Sequence, residues 1–239
     1  MSVLFISDLH LSGERPELIE LFLNFVQFEA VNAEKLYILG DLFEVWTGDD
    51  YILPEFESVI EALKHLTSGG TPVFIMHGNR DFTIGEEFEK KTGCKLLDDP
   101  TIIDLNGTKT LVSHGDTLCT DDIEYQKFRK KVRNPQWIQQ VLSLPIEERL
   151  SLAKSIRSDT REKSRQKPEE IMDVNQSAVE DFMQKWNVQQ LIHGHTHRPK
   201  QHSLSINNLP AKRIVLGDWY NSGSVLYCDE NKCTLKDYN

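Results

Sequence analysis

Five short apolar runs in this chain each end on a residue able to bind a metal ion, and that repetition limits the fold more than any other feature. Val3 to Ile6 leads into Asp8 and His10, Leu36 to Leu39 into Gly40-Asp41, and Val73 to His77 into Gly78-Asn79. Leu111 to Ser113 leads into His114-Gly115-Asp116, and Leu191-Ile192 into His193-Gly194-His195-Thr196-His197. Runs of β-branched and aliphatic residues this short read as buried strands, and Thr110 to Val112 and Ile214 to Leu216 join the same class. On an extended backbone Asp8 and His10, two apart, leave the same face. In α/β sheets ligands converge at the carboxyl ends of strands, so residues distant in sequence meet at one site.

Helical patterns separate the early strands: Pro16 to Ala30, with proline in its first turn, and Glu55 to Leu66, closed by Gly69-Gly70. Alternating strand and helix predict a layered α/β fold. At 239 residues the chain suits one domain spanning 1–239. Residues 125–168 carry twelve Lys or Arg against four acidic residues, inside a chain of net charge -10. Trp137, Ile138, Val141 and Leu142 fall on one helical face there, bracketed by Pro135 and Pro145, which predicts a helical cap over about 122–168 inserted between two strands. The basic run reads either as a solvated helical face or as part of a binding surface.

The overall acidity argues against nucleic acid as a partner. No signal-peptide pattern opens the sequence, and no apolar run reaches the roughly 20 residues needed to span a bilayer, so a cytoplasmic protein is expected. Cys94, Cys119, Cys228 and Cys233 form no C-x-x-C pair and are expected to be reduced thiols.

Carboxylate, amide oxygen and imidazole without thiolate favour Mn²⁺, Zn²⁺, Fe²⁺ or Mg²⁺. Asp8, His10, Asp41, Asn79, His114, His195 and His197 are too many for one ion with an open position and suit two ions sharing a carboxylate. Two ions about 3.5–4 Å apart are suited to in-line displacement at phosphorus. His77 and His193 are left out of the set. Asp50, Asp81 and Asp116 read as turn residues or as carboxylates that orient ligands, and His65 and His202 as surface residues.

Asp8-x-His10, Gly40-Asp41, Gly78-Asn79 and Gly194-His195-x-His197 stand in the order found in the calcineurin-like metallophosphoesterases, which this chain resembles. The resemblance implies a β-sandwich flanked by helices. It also implies that Asp8, His10, Asp41 and His197 hold one ion, that Asp41, Asn79, His114 and His195 hold the other, and that Asp41 bridges them. One position departs from the common pattern, because Arg80 replaces the histidine that usually follows the asparagine. Arginine stays protonated, so Arg80 suits a phosphate clamp rather than a general acid. That change argues against a protein phosphatase or cyclic-nucleotide phosphodiesterase, and the complete ligand set argues against a noncatalytic scaffold of the same fold.

The stretches Gly40 to Asp50, His77 to Asp81, His114 to Asp122, Ile171 to Gln176 and His193 to Pro199 are similar to the branch of that family that hydrolyses UDP-2,3-diacylglucosamine. The resemblance implies a pyrophosphatase of lipid A biosynthesis that uses two divalent ions, usually Mn²⁺, and a metal-activated water attacking the α-phosphorus. Its products would be UMP and 2,3-diacylglucosamine 1-phosphate. Asp41, Asn79, Arg80 and His195 are then the catalytic residues. Asp122, Tyr125, Thr160, Ser164 and Lys167 join Asn79, Arg80 and His195 as contacts for a lipid-linked UDP-sugar, with Thr160 and Ser164 standing where the branch more often has Ser and Asn. A monomer in peripheral contact with the inner membrane is the corresponding expectation.

Overall fold

The computed structural model describes residues 2–220 and 222–239, with all side chains among them other than those at 161, 163–166, 169 and 170. Ser164 therefore lies outside the described side chains. The elements run β1 (Val3–Ile6), α1 (Pro16–Phe28), β2 (Lys35–Leu39), α2 (Glu57–Ser68), β3 (Val73–Met76), α3 (Glu86–Thr92), β4 (Lys95–Leu97), β5 (Thr101–Leu105) and β6 (Thr108–Ser113). They continue with α4 (Ile123–Val132), α5 (Pro135–Leu142), α6 (Ile146–Gln166), α7 (Gln176–Trp186), β7 (Gln190–His193), β8 (Lys200–Ile206), β9 (Leu209–Val215), β10 (Gly223–Cys228) and β11 (Cys233–Tyr238).

Two sheets form, in the orders β11-β10-β1-β2-β3-β4 and β5-β6-β7-β9-β8. Strands β1 to β4 are mutually parallel, as are β6, β7 and β9. Side chains alternate across a strand, and here both faces are buried. Val3, Phe5, Tyr37, Leu39 and Met76 of the first sheet share a core with Val112, Ile192 and Ile214 of the second. The alternate residues Leu4, Ile6, Leu36, Ile38, Val73 and Ile75 pack with Phe22, Phe25, Val59 and Leu63 of α1 and α2. On the far side Leu111 and Leu191 pack with Val179 and Met183 of α7. This helix–sheet–sheet–helix layering is the expected sandwich, and it explains why the early strands read as unbroken apolar runs.

Helices α4 to α6 lie between β6 and β7. Each of the first two has a side-chain cap: Asp122 accepts from Tyr125 N, and Asn134 accepts from Gln136 N with Pro135 at the first turn. Arg149 anchors the start of α6. It is 5% exposed, meets both oxygens of Asp50 at 2.6 Å, and donates to the carbonyls of Thr47 and Leu144 at 2.8 and 2.9 Å. Asp50 thus ties the insert to the segment after β2 rather than orienting a metal ligand.

The expectation of four free thiols is corrected. Cys228 and Cys233 form a disulfide, because they are opposite partners where β10 and β11 pair across the tight Asp229–Lys232 turn. Cys94 and Cys119 are free and buried.

Candidate metal centre

The loops following β1, β2, β3, β6 and β7 meet at one edge of the sandwich. Asp8, His10, Asp41, His195 and His197 all adopt positive φ, between 50° and 69°. Such a conformation in non-glycine residues costs of order 1–3 kcal/mol each and persists only where the surroundings enforce it. Backbone bonds do so here: Asp8 N donates to Gly40 O at 3.1 Å and His10 N to Asp41 O at 3.0 Å, while Trp219 N donates to Asp8 O at 3.2 Å. Gly78 lets two loops touch, since a Cβ there would collide with the carboxylate and amide nitrogen of Asp41.

Two overlapping clusters result. In the first, His10 Nε2 lies 3.4 Å from His197 Nε2 and 3.7 Å from Asp41 Oδ2, and His197 Nε2 lies 3.3 Å from Asp8 Oδ1. In the second, Asn79 Oδ1 lies 3.0 Å from His114 Nε2 and 2.9 Å from His195 Nδ1, and His114 Nε2 lies 3.9 Å from Asp41 Oδ2. Asp41 Oδ2 therefore faces both. Asp8, His10 and His197 offer ligand atoms close enough to share a cation, as do Asp8, Asp41 and His114. Asp8 Oδ1 is buried without a well-aligned hydrogen bond and faces the His197 ring at 3.3 Å, which leaves it free to meet a metal cation. The donor set, oxygen and imidazole nitrogen only, fits hard or borderline divalent ions.

Other groups aim these ligands. The second oxygen of Asp8 accepts from Ser7 Oγ at 2.6 Å and His195 N at 2.8 Å, and Asp41 Oδ1 accepts from Arg80 N at 2.8 Å. His114 Nδ1 donates to the Leu39 carbonyl at 2.9 Å, which turns Nε2 toward the cluster. Asp218 Oδ2 lies 3.0 Å from His197 Nδ1, and Glu44 Oε2 lies 2.9 Å from His10 Nδ1. Asp81, fully buried, accepts from Gly78 N and Leu42 N at 2.8 Å each and so clamps the β2 and β3 loops together. Of these, Ser7, Glu44 and Asp218 were not singled out from sequence, although Gly217-Asp218 follows an apolar run in the same way as Gly40-Asp41.

Carboxylates and imidazoles this close set one another's charge. Burial would raise the Asp8 carboxyl, but His197, His114 and His10 hold it well below the usual range. Burial raises Asp41 above the ordinary carboxylate range. Burial disfavours the His114 imidazolium, yet Asp41 and Asp8 push it up to about 8. It likewise opposes the His197 imidazolium, which Asp8 and Asp218 raise to about 10. His195, buried beside His114, falls to about 3.

His77 and His193 stand apart: His77 Nε2 donates to the Ile84 carbonyl at 2.7 Å and His193 Nδ1 to Gly194 O at 2.9 Å. Asp116 is buried and accepts from the Tyr125 hydroxyl at 2.9 Å and Arg129 Nε at 2.7 Å, so it seats α4.

A cavity of about 470 Å³ opens over the clusters and is lined by Arg80, Asp122, Tyr125, Thr160 and Lys167 together with His10, Asn79 and His195. Arg80 Nη1 donates to Thr160 Oγ1 at 3.4 Å, while Lys167 Nζ meets both oxygens of Asp122 at 2.7 and 2.6 Å. The Tyr125 ring lies 5.6 Å from that of His195. A second groove, about 680 Å³, runs between the insert and the core past Trp46, Phe56, Phe82, Trp137 and Val141, and shares Asn79 and Arg80 with the first. Trp137 and Val141 of the apolar helical face, only half-buried, line this groove.

The profile of the calcineurin-like phosphoesterase family matches residues 1–199. The UDP-2,3-diacylglucosamine hydrolase of Marinobacter nauticus is 51% identical over 219 residues, 92% of this chain and 90% of its own. The enzyme of the same name from Vibrio parahaemolyticus is 50% identical over 238 residues, 99% of this chain and 98% of its own. A solved archaeal phosphodiesterase aligns at TM-score 0.48 and 14% identity over 99% of this chain and 98% of its own, a likeness too distant to bear on the reaction. With half its residues shared with relatives of matching length, the chain belongs to the calcineurin-like phosphoesterase family, among the UDP-2,3-diacylglucosamine hydrolases.

Proposed function

We propose that this protein hydrolyses the pyrophosphate bond of UDP-2,3-diacylglucosamine, releasing UMP and 2,3-diacylglucosamine 1-phosphate as a step of lipid A biosynthesis. The observation that carries the reading is the shared wall formed by Asn79 and Arg80 between the polar cavity and the apolar groove. A lipid-linked sugar diphosphate needs both chambers at once, with its phosphates at the junction; a phosphopeptide or cyclic nucleotide has no use for the groove.

Asp8, His10, Asp41 and His197 hold one divalent ion, and Asp41, Asn79, His114 and His195 the other, with Mn²⁺ the occupant of choice. Two such ions supply an activated water and neutralise charge that builds on the phosphoryl oxygens. Arg80 adds a fixed positive charge at the same place without exchanging a proton. The leaving group is a phosphate that departs as an anion, so the missing histidine costs the reaction little. Asp122, Tyr125, Thr160, Ser164 and Lys167 orient the glucosamine and its phosphate. The Tyr125 hydroxyl is already given to Asp116, so Tyr125 offers its ring face. The basic insert, as a cap, brings the monomeric protein to the cytoplasmic face of the inner membrane, where anionic headgroups attract it.

The test is hydrolysis of UDP-2,3-diacylglucosamine with Mn²⁺, beside Asp41→Ala and beside UDP-glucosamine lacking acyl chains. UMP released from the acylated substrate alone, and lost in the variant, is the expected result. No release from protein that has taken up metal would remove the substrate assignment and leave the phosphoesterase chemistry open.

A further inference from the structure

Glu44 belongs to neither the ligand set nor the polar cavity over it; it stands on the edge of the apolar groove and touches both the metal cluster and the insert. Its place is fixed by backbone. Leu11 N donates to Leu42 O and Glu44 N to Leu11 O, both at 3.0 Å, so residues 42–44 run alongside the turn that carries His10. The side chain, 13% exposed, then divides its two oxygens. One lies 2.9 Å from His10 Nδ1, within hydrogen-bond range though out of line with the ring N–H. The other is 2.8 Å from Nε of Arg157, which projects from α6 and also reaches Glu14 at 3.2 Å.

We propose that Glu44 is a positioning residue that aims His10 and, through Arg157, makes retention of one of the two ions depend on how α6 is seated. The proposal rests on the reading of His10 as a ligand. A carboxylate on the far nitrogen of a ligating imidazole fixes the ring and its tautomer, and loss of such a partner costs about 10–100-fold in metal affinity. Coupling is reciprocal, so an ion that binds tighter when Arg157 engages Glu44 also holds α6 down. The sign of the Arg157 effect separates positioning from bare charge. Removing a nearby cation would by Coulomb's law tighten a bound metal ion, whereas losing the residue that steadies Glu44 loosens it.

The experiment titrates Mn²⁺ alone into chelator-treated full-length protein, following free Mn²⁺ by electron paramagnetic resonance, with folding checked by circular dichroism. Wild type is compared with Glu44→Ala, Glu44→Gln, Arg157→Ala, the Glu44→Ala/Arg157→Ala double variant and His10→Ala. Glu44→Ala should weaken one site about 10–100-fold and leave the other within about threefold, with Glu44→Gln intermediate. Arg157→Ala should weaken the same site and add nothing in the Glu44→Ala background. Unchanged affinities in both folded Glu44 variants, while His10→Ala loses an ion, would overturn the positioning role. An Arg157→Ala effect that tightens the ion, or survives without Glu44, would overturn the link to α6. If His10→Ala retains both ions, it is the ligand assignment that fails. Should Glu44→Ala not fold, Glu44→Gln decides the matter alone.

Discussion

Replacing Asp81 with alanine isolates what holds the two carboxylate-bearing loops in register before any ion arrives. Its side chain is fully buried and accepts two well-made backbone bonds at 2.8 Å, from Gly78 on one loop and Leu42 on the other, with a third contact to Phe43 N at 3.4 Å. Alanine leaves both well-bonded N–H groups buried and unanswered, at about 1–3 kcal/mol each, so the expected loss is about 2–6 kcal/mol. Against a total stability of about 5–15 kcal/mol, that is a large share. Urea unfolding with chelator present reads the loss without metal linkage. Asparagine keeps one acceptor but turns its amide toward the other donor, so Asp81→Asn should fall between. A loss in Asp81→Ala under about 0.5 kcal/mol, the size of an ordinary surface change, or an asparagine variant less stable than the alanine one, would refute the reasoning.

Gly78→Ala should displace Asp41, and because a shift of about 1 Å in a reacting group can cost 10²-fold, hydrolysis should drop at least about that much in steady-state assays. Ions bind only deprotonated imidazole, so protons compete at His114, raised to about 8, and at His197, raised to about 10, but not at His195, near 3. Apparent Mn²⁺ affinity should therefore rise with pH from about 6 to about 8, with protons released on metal addition in weakly buffered solution; a flat profile without release contradicts the assignment. Trp137→Ala removes part of an apolar wall, and at about 25 cal/mol per Å² should raise KM for the acylated substrate about tenfold with kcat little changed.

The early strands were legible in the sequence because sheet and helix layers bury both their faces, which leaves no polar alternation to confuse the reading. Strands β4, β5, β8 and β11 escaped because they are short or half-exposed, and β10, although buried, escaped because Ser222-Gly223-Ser224 at its start reads as a turn. Helix α2 begins at Glu57 rather than Glu55 because Pro54–Phe56 forms a separate tight turn. The candidate ligands stood out by type and by position after apolar runs. The groups that aim them did not, because Ser7, Glu44 and Asp218 are common surface residue types whose roles exist only once the loops are packed together. Asp50, Asp81 and Asp116 stayed open between two roles because their partners sit on other elements: Arg149, far along the chain, for Asp50, the Leu42 amide of the preceding loop for Asp81, and Arg129 on the first helix of the insert for Asp116.

The candidate ligands come from both halves of the sandwich. Asp8, Asp41 and Asn79 follow strands of one sheet, and His114, His195 and His197 follow strands of the other, so packing of Phe5, Leu39 and Met76 on Val112 and Ile192 sets the distance across which ions must be shared. Interiors are close-packed and resist compression, which makes that spacing a property of the fold. The left-handed backbone at five ligand positions is braced by bonds within the protein, among them His195 N to Asp8 across the two sheets. Asp41 Oδ2, which faces both clusters, and Asp8 Oδ1, buried without a hydrogen bond, are thereby held at the junction of the two sheets as the oxygens a cation would meet.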